Sequence, residues 1–254
     1  MTYAEVLARY DRYVDSFRTE TGDLPKMMQL KRVHTDAVVE NARRIATDEH
    51  LDASLTERAA IAALLHDTGR YEQLKRYNTF RDSESCDHAV LSHDIVHAAS
   101  WVDDEPILKA VLYHNRRDLP EDMDADTAVL SKIVRDADKL DIFRVLEDQI
   151  ASTDWRTDKR AFWNLATEEE PNPAVIDAIR EGRAVDYQQI KSLSDFVLIQ
   201  VGWIRSGLYF AASRQLAHSR GHLAFRYRFL KELTASTEID RLFVDCQLER
   251  NMVE

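Results

Sequence analysis

The sequence predicts an all-α protein, and three observations favour that fold class. Glycine and proline are scarce, at six and five among 254 residues, whereas sheet proteins of this length usually need more turn residues. Apolar residues recur at steps of three and four along most of the chain, as in amphipathic helices. Typical helix start and stop residues flank these stretches. The length allows one sizeable core, so we expect a single domain over residues 1–254.

The first predicted helices carry clear patterns. Residues 30–50, LKRVHTDAVVENARRIATDEH, show an apolar stripe with helical spacing. Residues 54–70, SLTERAAIAALLHDTGR, begin with Ser54 and Glu57 in the spacing of a capping box. Gly69 is predicted to cap the carboxyl end of that helix.

Further helices are predicted along the rest of the chain. Residues 83–102 form a candidate helix with Ser83 or Ser85 as its cap, and residues 103–115 form one with Pro106 in its first turn. The remaining predicted helices cover residues 126–150, 192–220, 222–237 and 239–251.

Charge and composition exclude several classes of protein. A net charge of −11 argues against a general nucleic-acid binder, which needs a basic face. No apolar run approaches the roughly 18 residues of a membrane span, and the N-terminal MTYAEVLARYDRY has no signal-peptide block. The two cysteines lie far apart. We therefore expect a cytoplasmic protein without disulfides or membrane association.

Aromatic residues are frequent after residue 190. They complete the core, or alternatively they form the interface of a homodimer.

Histidine and aspartate recur on the predicted helices of the first 142 residues. Imidazole and carboxylate together suit Mn, Fe, Ni, Co or Zn. Adjacent His66 and Asp67 can both reach one metal ion only where a helix is ending, and this pair stands at a predicted helix end. The residues of interest are His34, His66, Asp67, His88, His114 and Asp138.

The order His, His-Asp, Asp on successive helices resembles the HD-domain superfamily of metal-dependent phosphohydrolases. The resemblance covers roughly residues 26–145, and residues 150–254 are expected to complete the core of the helical bundle. The pieces that carry it are KRVHTDAVVENARRIA, AALLHDTGRYEQ, SCDHAVLSHDI, VLYHN and IVRDADKLDIF.

The resemblance implies a metal shell and a set of catalytic residues. Asp136 is an alternative to Asp138 as a ligand, because two residues apart on a helix point about 200° apart and cannot both serve. The implied metal ligands are His34, His66, Asp67 and Asp138. The implied catalytic residues are Asp67, His88, His114 and Lys139.

The number of metal ions is left open between one, which is favoured, and two. His88 and His114 match extra histidines of the family members that hold two ions. One of them would ligate a second ion or protonate a leaving oxygen. Lys139 matches a lysine that contacts phosphate in deoxynucleotide triphosphohydrolases.

Basic residues near the histidines are candidates for binding phosphate in an otherwise acidic protein. We expect Lys31, Arg70, Lys75, Arg81 and Arg116 to bind substrate. The implied function is hydrolysis of a small phosphorylated molecule, a nucleotide above all, at a phosphoester or phosphoanhydride bond. The alternatives are a non-catalytic nucleotide sensor and a di-iron oxygenase. The oxygenase would use six ligands, namely His34, His66, Asp67, His88, His114 and Asp138.

Overall fold

The computed structural model describes residues 1–158, 162, 164–167 and 169–248, and its secondary-structure elements are helices joined by turns and loops. Within those residues no strand forms, apart from an isolated bridge between Ala166 and Ser192. The all-α fold class is therefore confirmed. The helices are α1 (Tyr3–Asp15), α2 (Lys26–Asp48), α3 (Ala53–Leu65), α4 (Gly69–Tyr77), α5 (His88–Ala98), α6 (Glu105–Tyr113), α7 (Ala125–Ser152), α8 (Pro173–Arg180), α9 (Leu193–Gly202), α10 (Ala211–Ser219), α11 (His222–Leu233) and α12 (Thr237–Asp245).

The chain forms two compact units, residues 1–141 and 142–254, and the boundary falls inside α7. All the candidate metal ligands lie in the first unit. The single domain expected from the sequence stays a prediction. Across the described part of the chain, no helix combines the length and the apolar character needed to cross a membrane.

The packing of α2 against α3 forms much of the core of the first unit. Val38, Ala42 and Ile45 of α2 are fully buried, as the apolar stripe predicts. Helix α3 is buried at every position from residue 59 to 65. A helix that is apolar on all sides belongs in the interior. The two residues that follow the carboxyl end of α3 therefore lie in the interior as well.

The caps of two helices differ from the prediction. Asp52, not Ser54, caps α3, and Asp87, not Ser83 or Ser85, caps α5. Each aspartate carboxylate accepts a hydrogen bond from a backbone N–H in the first turn of its helix. Aspartate and serine are comparable N-caps, so the sequence alone does not rank neighbouring candidates.

Gly69 was predicted to cap α3, but it begins α4 instead. Helix α3 ends at Leu65, and the prediction was wrong because the glycine serves a tertiary contact. A Cβ at this position would lie 2.7 Å from the backbone nitrogen of Ser92 and 2.8 Å from the carbonyl oxygen of His88. The Gly69 N–H also donates to Ser92 Oγ at 2.8 Å. Glycine thus lets α4 approach α5 beside His88.

The segment 192–220 is not the single long helix predicted. Helix α9 passes into a π-helical turn, Trp203–Gly207, and the backbone is extended at Leu208 before α10 begins. Gly202 and Gly207 lie at the two ends of this break, and glycine disfavours a continuous helix. In the predicted segment 239–251, helix α12 covers the first part, and residues 249–251 lie outside the described residues.

A buried arginine organises the second unit. Arg226 is fully buried, and its guanidinium donates to Glu147 Oε1 at 2.6 Å and to Gln200 Oε1 at 2.6 and 3.0 Å. His222 Nδ1 donates to the same Glu147 oxygen at 2.7 Å. Burial lowers the pKa of Arg226 to about 10, although Glu147 opposes the shift. The charge is therefore paired, as a buried ion requires.

Candidate metal centre

Five helices bring the candidate ligands together in the first unit. His34 lies on α2, and Asp138 lies on α7. His66 and Asp67 follow the buried end of α3. His88 is the first residue of α5, and His114 directly follows α6.

The first group of donor atoms lies around His34. Its Nε2 is 3.2 Å from Asp138 Oδ1 and 3.6 Å from Asp67 Oδ2. His66 Nε2 lies 3.5 Å from Asp67 Oδ2 and 3.8 Å from Asp138 Oδ1. His34, His66 and Asp138 have ligand atoms close enough together to hold one metal ion.

The second group adjoins the first through Asp67. His88 Nε2 and His114 Nε2 are 2.9 Å apart. They lie 3.5 Å and 3.8 Å, respectively, from Asp67 Oδ1. The two oxygens of Asp67 therefore face different pairs of histidines, as in a carboxylate that bridges two metal positions.

Each of the four histidines has an acceptor at its other ring nitrogen. His34 Nδ1 donates to Asp141 Oδ2 at 2.6 Å, and His88 Nδ1 donates to Asp82 Oδ2 at 2.5 Å. His66 and His114 donate from Nδ1 to backbone carbonyls three residues earlier, both at 2.7 Å. A neutral imidazole that donates from Nδ1 carries a lone pair at Nε2. In that neutral form the four rings present four lone pairs to the cluster that they form with Asp67 and Asp138.

These lone pairs fit a metal better than they fit the protein alone. His66 Nε2 is buried and has no hydrogen-bond partner. His88 Nε2 and His114 Nε2 lie 2.9 Å apart, and two nitrogens at this distance need a hydrogen or a metal cation between them. Metal-bound histidines usually donate the other ring N–H to a carboxylate or carbonyl, because this fixes the ring and its tautomer. The cluster has all three properties.

Burial keeps two of the rings neutral. It lowers the pKa of His66, and together with the charges of His88 and His66 it lowers the pKa of His114 to about 3. For His34, burial and Lys31 lower the pKa, but hydrogen bonds to carboxylates prevail and raise it. The negative charge that favours a proton on His34 also favours a metal cation there.

The carboxylates of the cluster stay ionised. Burial raises the pKa of Asp67, but the charges of Lys31, His66 and Arg70 outweigh burial and hold that pKa well below its usual range. Burial likewise opposes ionisation of Asp138, and the hydrogen bond with His34 lowers its pKa overall. Neutral imidazoles and ionised carboxylates are the forms that coordinate metals.

Two of the predicted substrate-binding residues lie at the cluster. Lys31 Nζ is 2.6 Å from Asp67 Oδ2, and Arg70 Nε is 3.4 Å from Asp67 Oδ1. The Arg70 Nη1 atom also donates to Gln73 Oε1 and Asp82 Oδ1, at 2.8 and 3.0 Å. Both cations are largely buried, with side chains 20% and 14% exposed.

The other predicted basic residues have different surroundings. The Lys75 ammonium lies 5.5 Å from the centre of the Phe17 ring, and Arg81 Nη1 pairs with Glu84 at 2.7 Å. Arg116 is exposed just beyond His114. Lys139 follows Asp138 by one residue, a rotation of about 100° on a helix, and burial with the charge of Arg135 lowers its pKa to about 8. The roles of all four residues remain predictions.

Three residues support the cluster in roles that the sequence did not predict. Asp141 and Asp82 hold the rings of His34 and His88. Arg135 donates to the carbonyl oxygens that follow α6. Asp141 lies one turn after Asp138, so helical spacing could have revealed it. Asp82 lies in a short 3₁₀ helix and has no periodic signal.

Comparison with known protein families gives a match over the segment that carries the candidate ligands. Residues 33–142 match the family model described as the HD domain. No curated protein and no solved structure matches the chain. The matched segment begins beside His34 and ends just after Asp141, so it contains all six candidate metal ligands.

Proposed function

The chain belongs to the HD-domain superfamily, and on that premise we propose that it hydrolyses a small phosphorylated molecule, a nucleotide, with the help of a divalent transition metal. HD domains are in general metal-dependent phosphohydrolases. The observation that supports the proposal most is the convergence of four histidine Nε2 atoms and two ionised carboxylates in one buried cluster.

The donor set divides between two metal positions. His34, His66, Asp67 and Asp138 would hold one ion, and His88, His114 and Asp67 would hold a second. The short distance from His34 to Asp138 supports Asp138 over Asp136 as the ligand on α7. Mn, Fe, Ni, Co and Zn all suit this mixture of ligands. When bound, such an ion polarises a phosphoryl oxygen and lowers the pKa of a water molecule.

The side chains around the cluster would bind and orient the phosphate. Phosphoryl transfer gathers negative charge on the equatorial oxygens, so positive charge must face them. Lys31 lies 2.6 Å from Asp67 and is partly exposed, so it can turn towards an incoming phosphate. Arg70 is anchored by several acceptors, so it offers a fixed cation rather than a mobile one.

His114 serves better as a ligand than as a proton donor. With a pKa of about 3, His114 carries no proton on Nε2 to donate at neutral pH. A general acid should instead have a pKa near the working pH. Among the predicted catalytic residues, Lys139, with a pKa of about 8, comes closer to that condition.

The test compares wild type with His66→Ala and with His97→Ala, a control at an exposed histidine. Each protein is stripped of metal and reloaded with Mn. Metal content and phosphate or pyrophosphate release are then measured across a nucleotide panel. We expect hydrolysis by wild type and His97→Ala, and loss of both metal and hydrolysis in His66→Ala. A fully loaded wild type that releases no phosphate from any nucleotide would contradict the proposal.

A di-iron oxygenase is the second candidate, favoured by one specific observation. All six of His34, His66, Asp67, His88, His114 and Asp138 lie in the cluster, which is enough for two irons. Oxygen consumption by the ferrous-loaded protein, with polyol or phosphonate substrates, would favour this candidate. Hydrolysis without oxygen uptake would exclude it.

A further inference from the structure

Arg135 contacts the carboxyl end of α6 from a neighbouring helix. It lies on α7, one turn before Asp138, and is 7% exposed. Its Nη1 donates to the carbonyl oxygens of Tyr113 at 3.2 Å and His114 at 3.4 Å, and also to that of Arg116. Its Nη2 donates to the carbonyl oxygen of Arg117 at 3.1 Å.

The guanidinium holds the turn that follows α6. Only one of its acceptors, the Tyr113 carbonyl, belongs to the helix, and that oxygen also accepts from the Arg116 N–H at 3.1 Å. The other three acceptors lie on residues 114, 116 and 117, where no glycine turns the chain back and the sequence reads HNRRDLP. A planar guanidinium can bind several carbonyls at once, and its charge suits the negative end of the helix dipole. Arg135 therefore anchors the backbone at and after His114.

The ring of His114 is fixed from the same stretch of backbone. Its Nδ1 donates to the carbonyl oxygen of Val111 at 2.7 Å, and its Nε2 faces His88 Nε2 at 2.9 Å. A shift of the backbone at residue 114 would move Nε2 away from His88 and from Asp67. The ligands of the first metal position lie on α2, on α7 and after α3, so they do not depend on the end of α6.

We propose that Arg135 is a positioning residue for the second metal position. By holding the carbonyls after α6, it places His114 so that His88, His114 and Asp67 can share an ion. The position formed by His34, His66 and Asp138 does not require this contact. The inference rests on the metal centre of the proposed function, but not on the substrate or the reaction.

Arg58 offers a matched control at the opposite end of the same helix. Its Nε and Nη2 bind the carboxylate of Asp104, the N-cap of α6, at 2.8 and 2.9 Å. Its Nη1 binds Asp126 of α7 at 2.6 Å. Arg58 thus ties α6 to α7 as Arg135 does, but at the end remote from His114.

The experiment titrates metal-free wild type, Arg135→Lys and Arg58→Lys with Co²⁺, by calorimetry and by the visible spectrum of the bound ion. Lysine keeps the charge but has one nitrogen in place of the fork, so the fold should persist. We expect two binding events in wild type. In Arg135→Lys the second should weaken by about 10- to 100-fold, the range for residues that orient metal ligands. Both events should be unchanged in Arg58→Lys.

A double variant separates positioning from general destabilisation. If Arg135 acts through His114, the second-site affinity of His114→Ala should not fall further when Arg135→Lys is added. A further fall would overturn the inference. So would one binding event in wild type, equal weakening of both positions in Arg135→Lys, or the same loss in Arg58→Lys. If Arg135→Lys weakens only the second of two binding events and wild type hydrolyses no nucleotide, the proposed function fails while the role of Arg135 stands.

Discussion

Replacing Asp141 with asparagine tests how the first metal position is supported. Asp141 is 1% exposed, and its Oδ2 accepts the hydrogen bond of His34 Nδ1 at 2.6 Å. This distance is typical of a charge-assisted hydrogen bond. Asparagine preserves the size of the side chain but removes the charge. It also places an NH₂ group where it can face the Nδ1–H of His34, and two hydrogen-bond donors repel each other.

The structure sets bounds on the expected effect. His34 Nε2 keeps its neighbours Asp138 and Asp67, at 3.2 and 3.6 Å, so the ligands themselves remain. Only the orientation and basicity of the His34 ring change. Losses of this kind cost about 10- to 100-fold in metal affinity, which is about 1.4 to 2.7 kcal/mol. We therefore expect weakened binding at the first position rather than its abolition.

The assay is a metal titration of Asp141→Asn beside Asp82→Asn. Asp82 supports His88 in the same way, at 2.5 Å, but on the other side of the cluster. Asp141→Asn should weaken the position that contains His34, and Asp82→Asn should weaken the position that contains His88. The reasoning would be refuted if Asp141→Asn bound metal as tightly as wild type, or if both variants weakened the same position.

Three further predictions concern stability. Gly69→Ala would place a Cβ 2.7 Å from the Ser92 nitrogen, so we expect a loss of about 1–3 kcal/mol in the free energy of unfolding by urea; an unchanged midpoint would contradict this. Chelation should lower the melting temperature, because an ion at a hundred times its Kd adds about 2.7 kcal/mol to stability; identical melting with and without chelator would argue against a metal centre. Burial raises the pKa of Asp82, but the hydrogen bond from His88 and nearby charges outweigh it and lower the pKa from 3.8 to about 2. The stability that Asp82 contributes to the metal-free protein is therefore complete above pH 3.8 and is lost as the pH falls towards 2. In Asp82→Asn, the free energy of unfolding should depend less steeply on pH over this range. Equal pH dependence in wild type and variant would show that the ion pair contributes nothing.

Helical periodicity predicted the main elements of the first unit because their apolar faces are continuous. Val38, Ala42 and Ile45 of the predicted stripe on α2 are buried as expected, whereas Val33, at the start of the stripe, is 55% exposed. Helix α7 forms across the whole segment that carries Asp138. The cap of α3 and the role of Gly69 were mispredicted for different reasons. Several capping residues stand close together before α3. The glycine is required by α5, which lies distant in sequence and contacts it only in the folded chain.

The candidate ligands could be named from the sequence because their order and spacing resemble a known family. The residues that support these ligands could not be identified in the same way. Asp82 reaches His88 from an irregular segment, and Arg135 reaches the end of α6 from another helix. Such contacts depend on how the helices pack, and no local pattern encodes them. For the same reason the sequence did not distinguish Lys31, which lies at the cluster, from Lys75, which lies over Phe17.

The central claim is that the cluster holds metal, and the most direct test is anomalous X-ray diffraction from crystals of the Mn-loaded protein at the manganese edge. We expect an anomalous peak enclosed by His34, His66, Asp67 and Asp138, and a second peak beside His88 and His114. Loaded crystals without a peak at the first position, or with manganese bound only elsewhere, would contradict it.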